Sequence, residues 1–489
     1  MPLRLFVLVL SLLGVSTALA QTPPPPAAYA GRWYNPAVGP EDLPSGAGLE
    51  LTVDGQGQLQ GKLTYTALHY FEIPLGKIEL QPDGRYQVTG DGISFQLDAQ
   101  GVLQAGGFVD QPVPLQRVEE LPRPTEPPSV PAGPGPQWKI RLGGPISAPA
   151  AIQGEVAYVG NADGAFFAVK TTDGTIAWSF AAGRPIFGEA LATEDAVYFA
   201  CDNGYLFKLN RADGKEVWRY DLGDGRVDRV LPNPHVFHYD WRTARPLLVD
   251  GRVFIGSRDA SFHAIDAATG KQIWRIATNA PVVNAAVAHG SRVIFGTQDG
   301  WICAVERDSG REAWTHKRSS AYTSGPAIHG DLVVAGNRGS RFRAVDAITG
   351  EEKWARFWWG SWIESTPVFD DDRGYIGSGD LYLVSSFDPA NGRILWKTHV
   401  HGWVLQRVAV AGDRIFASVS GARRRNDKLL RQEYAFDALD RATGRILWSW
   451  RMPDNPGAFL GGFVAAPALA GDRVIVGGTD GTLYAFPAN

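Results

Sequence analysis

Three short stretches gather the residue types that bind or react. PNPHVFHYDWRTAR holds His235, His238, Trp241 and Arg245; RFWWGSWIES holds Trp358, Trp359 and Trp362; KTHVHGWVLQR holds His399, His401, Trp403 and Arg407. Neutral imidazoles at such spacing suit zinc or copper. No carboxylate accompanies them at a motif spacing, so no metal site is expected. Indoles offer broad apolar faces for a sugar ring or a peptide, and arginines fork onto carboxylates. Arg423-Arg424-Arg425 reads as a solvated loop. No combination of these residues forms a catalytic constellation, so none is assigned a catalytic role.

The chain that must position them has 489 residues, 44% hydrophobic and 20% charged, which is enough to bury an extensive core. A net charge of -4 excludes a strongly basic nucleic-acid binder. Fifty-seven glycines and 16 tryptophans point to many short strands joined by tight turns. Cys201 and Cys303 are the only cysteines, too few for a disulfide framework or a four-cysteine zinc site. They are expected as separate buried thiols.

Residues 1–20 carry Arg4, an apolar run and an Ala18-Leu19-Ala20 ending, the pattern of a cleaved export signal. A proline-rich spacer covers 21–28 and a second proline-rich linker covers 121–136. Between them, 29–120 reads as a small all-β domain, a barrel or a sandwich. Its alternating segments are 49–53, 61–65, 77–80, 86–89 and 94–97, and they are separated by Asp-Gly turns. It resembles the small lipocalin-like β-modules at the front of some exported bacterial enzymes.

From 137 onward the chain is periodic. DGTIAW, DGKEVW, TGKQIW, SGREAW, TGEEKW, NGRILW and TGRILW end at Trp178, Trp218, Trp274, Trp314, Trp354, Trp396 and Trp448, and an unaccompanied Trp138 precedes them. From Trp138 the spacings are 40, 40, 56, 40, 40, 42 and 52. Each repeat reads as four strands, A to D, and the last repeat lacks its D strand. Pairing the orphan strand at Trp138 with that repeat closes a ring and removes its edges. The expected fold is all-β: an eight-bladed β-propeller closed by its N-terminal strand over 137–489, preceded by the small all-β domain. Each indole is expected to fill the wedge between neighbouring blades.

In such a blade the B–C and D–A connections share one face, and the irregular segments all map there. The extra residues of repeat three lie in 219–243 and those of repeat seven in 421–433. Loops on a rigid frame are where binding concentrates. The expected ligand- or partner-binding residues are therefore His235, His238, Trp241, Arg245, Trp358, Trp359, Trp362, His401, Trp403 and Arg407. At the start of the A strands, Ala148, Ala285, Gly325, Thr366 and Ala466 give way to Glu189, Arg245 and Arg407, which are expected to line the channel. They read either as a Glu–Arg pair or as an arginine pair holding a carboxylate-bearing ligand.

The core Ala264, Asp266, Thr269, Gly270, Lys271 and Trp274 resembles the PQQ-type repeat. That family includes eight-bladed quinoprotein dehydrogenases and cofactor-free BamB-like scaffolds. The enzyme branch implies PQQ, a tricarboxylate, with calcium, adjacent cysteines over the quinone and a catalytic aspartate. Here no cysteines adjoin, the blades are short and no C-x-x-C-H haem motif occurs. The expectation is an exported, monomeric, non-enzymatic scaffold without cofactor. It binds a protein or extended ligand in the cell envelope, not nucleic acid, and its mature chain has no transmembrane segment. A PQQ- and calcium-dependent dehydrogenase of alcohols or sugars is the alternative, and a carbohydrate- or peptide-binding module the second.

Overall fold

The computed structural model describes residues 25–35, 46–66, 70–83, 85–90, 93–98, 102–104, 113–121, 130–227, 242–317, 320–339, 341–357, 361–370, 372–379, 381–400, 402–422, 434–453 and 460–489. The architecture is all-β, with two 3-10 turns as the only helical pieces among these residues.

The first unit is one nine-stranded antiparallel sheet. The five segments expected from alternation appear as Gly46–Val53, Leu59–Thr66, Tyr70–Leu80, Tyr86–Gly90 and Ile93–Leu97. Gly31–Asn35 pairs with Gln116–Val118, while Val113–Pro114 pairs with Val102–Gln104. Val113–Pro114 and Gln116–Val118 are the two ends of the sheet order and are separated only by buried Leu115. The sheet must therefore curl until its ends meet. Trp33, Leu49, Leu51, Tyr86, Val88 and Leu97 fill the interior, and the Trp33 indole donates to the Tyr29 carbonyl at 2.9 Å.

Beyond the linker, the described residues form eight sheets that each contain a four-strand antiparallel meander in the manner of a β-propeller. One meander is split: Trp138–Arg141 pairs with Thr482–Pro487 and completes the last repeat. The orphan strand thus lies where its missing partner required it.

Two interlocks repeat from meander to meander. In the first, each tryptophan of strand D lies on the turn glycine of the following repeat, as Trp138 does on Gly174. Its indole N–H donates to a carbonyl in that turn: Trp138 to Thr171 at 2.9 Å, Trp274 to Arg307 at 2.9 Å, Trp354 to Pro389 at 2.9 Å. The indoles therefore fill the wedges as expected. Trp448 has no such turn ahead of it. Gly133 of the linker takes that place, and Ala132 bridges to Ser449 in parallel, with the Gly133 N–H donating to the Ser449 carbonyl at 2.7 Å. The end of the proline-rich linker is thus built into the repeat array and is not a free spacer.

In the second interlock, an apolar residue entering strand A fills the space above a glycine in strand B of the preceding meander. Ile186 covers Gly160, Val282 covers Gly256, Ile363 covers Gly336 and Val404 covers Gly377. Ile146 covers Gly477, so the first repeat locks onto the last by the same contact. A Cβ at position 477 would overlap the Ile146 side chain. Gly477→Ala is therefore expected to destabilise by about 1–3 kcal/mol through overpacking. In an Ile146→Ala background the same change is expected to cost clearly less, as measured by urea midpoints of the four chains of the cycle.

Candidate functional site

The residues that lead into the A strands ring one mouth of the channel. The apolar knobs set their register: the N–H groups of Ile146, Ile186, Val282, Tyr322, Ile363 and Val404 each bond a carbonyl of the preceding meander. Three residues after these knobs come Pro149, Glu189, Ala285, Gly325, Thr366 and Arg407. The first repeat's member is thus Pro149, one residue beyond the expected Ala148. All six line one cavity together with Arg245. The cavity measures about 60 Å³. The expected channel-lining residues Glu189, Arg245 and Arg407 are therefore brought together.

Their geometry is that of an ion pair crossing the channel. Arg407 of repeat seven places Nη1 2.6 Å from Glu189 Oε2 and Nη2 2.8 Å from Oε1, a forked contact with repeat two. Arg245 of repeat three adds its Nε at 3.4 Å from Glu189 Oε1. Glu189 is buried. Burial opposes its ionisation, but the charges of Arg407 and Arg245 outweigh that and hold its carboxyl below the usual glutamate range.

A second network lies beside the first, and the sequence reading missed both of its centres. Glu364 is 1% exposed and accepts from Arg338 Nε at 2.7 Å and the Thr323 hydroxyl at 2.9 Å. Burial opposes its ionisation too, and Arg338 and Arg242 more than compensate, so its pKa is also lowered. Arg242 reaches across from repeat three and donates to the carbonyls of Thr323 at 3.2 Å, Glu364 at 3.1 Å and Leu405 at 2.7 Å. It thereby ties together three later repeats. A signal was available: five residues before its strand, Leu247–Val249, Arg242 stands where the aligned position of the next repeat carries Val282, ahead of Val287–His289.

Among the other expected binding residues, Trp362 lies under the Arg338 guanidinium, whose carbon is 4.5 Å from the ring centroid. Trp403 pairs its backbone with Ser420, as its N–H donates to the Ser420 carbonyl at 2.7 Å and its own carbonyl accepts the Ser420 N–H at 3.0 Å. Both tryptophans directly precede knob residues, Ile363 and Val404, and so share one level of the mouth. His399 ends the strand Ile394–His399 and is buried. His235, His238, Trp241, Trp358, Trp359, His401 and the Arg423-Arg424-Arg425 run lie outside the described residues. Cys201 and Cys303 are free thiols. Burial pushes Cys201 up to about 11 and Cys303 up to about 12, so neither is a thiolate nucleophile at neutral pH.

A family model described as outer membrane protein assembly factor BamB matches residues 134–234, 202–361 and 355–489. Among solved structures, the computationally designed Ika8 protein is 17% identical with a TM-score of 0.55, over 73% of this chain and 99% of its own. The quinohemoprotein alcohol dehydrogenase of Comamonas testosteroni is 15% identical with a TM-score of 0.53, over 72% of this chain and 76% of its own. BamB from Moraxella catarrhalis is 18% identical with a TM-score of 0.47, over 70% of this chain and 93% of its own. No curated protein matches the sequence. The designed protein and the dehydrogenase share the propeller fold with this chain, and at these identities the likeness concerns fold alone.

Both buried glutamates have folded pKa values below the ordinary 4.5. They therefore favour the folded state above that pH, and the contribution is lost as pH falls through 4.5 toward the lowered values. Glu189→Gln strands Arg407 and is expected to cost about 3 kcal/mol, the low end for a broken buried pair because Arg407 keeps some solvent. Melting temperatures followed from neutral pH downward should show a shallower acid loss in the variant than in the wild type.

Proposed function

We propose, from the premise that this chain belongs to the PQQ-type repeat β-propeller family, that it is a non-enzymatic binding scaffold of the cell envelope. Its eight meanders are read as the blades of one closed ring over 137–489, with 29–120 a separate small β-domain. The export pattern of residues 1–20 suits the envelope location. The bound species is a protein or another extended ligand, held on the face formed by the D–A and B–C connections.

One observation carries this reading: the axial mouth is already filled by the protein's own charged groups. Arg242 spans three carbonyls, Arg407 is forked onto Glu189, and about 60 Å³ remains. Pockets that enclose a small-molecule cofactor typically measure roughly 300–1,000 Å³. A mouth of that size supports the reading without a three-ring tricarboxylate quinone. What stays available is the rim, where Trp362 and Trp403 stand at one level. Rigid aromatic anchors are the usual centres of binding energy at interfaces.

Two measurements test this. The purified chain titrated with PQQ and calcium should show no saturable change in tryptophan fluorescence; one-to-one binding with dye reduction by alcohols or sugars would make the protein a dehydrogenase. In chemical cross-linking within the cell envelope, Trp362→Ala with Trp403→Ala should reduce adduct yield at least tenfold. Glu351→Ala, on an exposed C–D turn, should leave it unchanged. The opposite pattern sinks the proposed face.

A further inference from the structure

Among the described residues, the channel mouth contains more positive charge than its carboxylates neutralise. Four guanidinium groups, Arg242, Arg245, Arg338 and Arg407, face two carboxylates, Glu189 and Glu364. Three of the four are committed. Arg338 is held by Glu364, both terminal amines of Arg407 are held by Glu189, and those of Arg242 are held by backbone carbonyls.

Arg245 differs from the other three. Its only ion-pair partner among the described residues is Glu189, approached through Nε at 3.4 Å, and that oxygen already accepts from Arg407. Its Nε is buried without a hydrogen-bond partner, and its two terminal amines donate to nothing among the described residues. The side chain lines the cavity with 39% of its surface open. Thr366 and Gln406, both polar residues, line the same cavity. A guanidinium presents parallel N–H donors whose spacing matches the two oxygens of a carboxylate. Partial burial strengthens that contact relative to open water. A cavity of about 60 Å³ leaves room beside Arg245 for a carboxylate with its first carbons.

We propose that Arg245, with Thr366 and Gln406, forms a binding site for one small carboxylate at the channel mouth. The group is supplied either by a free small acid or by the C-terminus of an extended polypeptide lying on the rim. The inference rests on this face being the ligand-binding face, and it specifies the chemistry that the face recognises. Arg407 and Glu189 act as its positioning pair: the Arg407 fork occupies Glu189 and leaves the Arg245 amines free.

The test uses the full chain and isothermal titration with three probes at fixed ionic strength: propionate, a hexapeptide with a free C-terminus, and the same hexapeptide amidated. Either the propionate or the free peptide is expected to bind, and the amide at least tenfold more weakly than the acid. Binding of propionate identifies a small acid as sufficient; binding of the free peptide alone identifies a polypeptide terminus. Arg245→Gln is expected to weaken the binding probe at least tenfold with the melting temperature nearly unchanged. Arg245→Lys, which keeps the charge and loses the fork, should fall between. Lys353→Gln, on the opposite face, should bind as wild type.

No saturation by any probe at millimolar concentration overturns the site. So does equal binding of acid and amide, or an Arg245→Gln chain that binds like wild type. Cross-linking separates this site from the scaffold reading. If adducts survive Trp362→Ala with Trp403→Ala while propionate binding still depends on Arg245, the scaffold face fails and the carboxylate site stands.

Discussion

The structure depends on a pairing between the two ends of the repeat array. Trp138–Arg141 lies against Thr482–Pro487, and Arg141 Nη1 reaches the carbonyl of Asp480, 339 residues away in sequence, at 3.0 Å. A linear stack of meanders would expose an apolar face at each end and would need polar caps. Here the same two contacts that join neighbours also join last to first. Ile146 of the first repeat fills the space above Gly477 of the last, and Trp138, which completes the last, lies on Gly174 of the first. The entropic cost of bringing such distant segments together grows only slowly with chain length, so one short strand and its flanking contacts suffice.

That frame explains how the mouth tolerates its charges. Residues leading into the A strands converge from the first seven repeats, and small ones such as Ala285 and Gly325 leave room for large ones to cross. Glu189 and Arg407 belong to repeats two and seven, and Arg242 of repeat three bonds carbonyls of repeats five, six and seven. Breaking any of these leaves a charge or a carbonyl desolvated without a partner, which costs more than forming the contact gains. The crossings therefore act less as a source of stability than as a fixed arrangement of donors. The carboxylates are spent inside the network, and the surplus cation projects into the remaining space.

Much of this was legible in the sequence because the dominant signals are local and repeated. A turn glycine followed by a tryptophan every 40 residues or so predicts both the strand and the wedge it fills, since the indole can reach only the adjacent turn. The missing D strand of the last repeat likewise required Trp138. What stayed hidden depends on register or on distant partners. Pro149 for Ala148 is a one-residue slip that only the Ile146 N–H, bonded to Gly478 at 3.0 Å, resolves. Glu364 looked like one acid in an aromatic segment, because its partners Arg338 and Arg242 lie 26 and 122 residues away. Gly133 sat in a proline-rich stretch whose composition reads as spacer, although its contact with Trp448 is part of the array.

Arg242 shows how a single position couples these levels. In the register of the A strands it occupies the place that Val282 holds in the following repeat, where an apolar side chain covers a strand-B glycine. Strand B of the preceding meander, Ala196–Ala200, ends in alanine instead, and buried Leu222 packs in the cluster that contains Ala200. Position 242 carries no apolar side chain to cover such a glycine. A long, polar side chain there can turn inward only if enough acceptors await it, since a guanidinium has five donors and no acceptor. The carbonyls of Thr323, Glu364 and Leu405 meet that condition. A polar residue at a packing position thus becomes the crosspiece that narrows the channel.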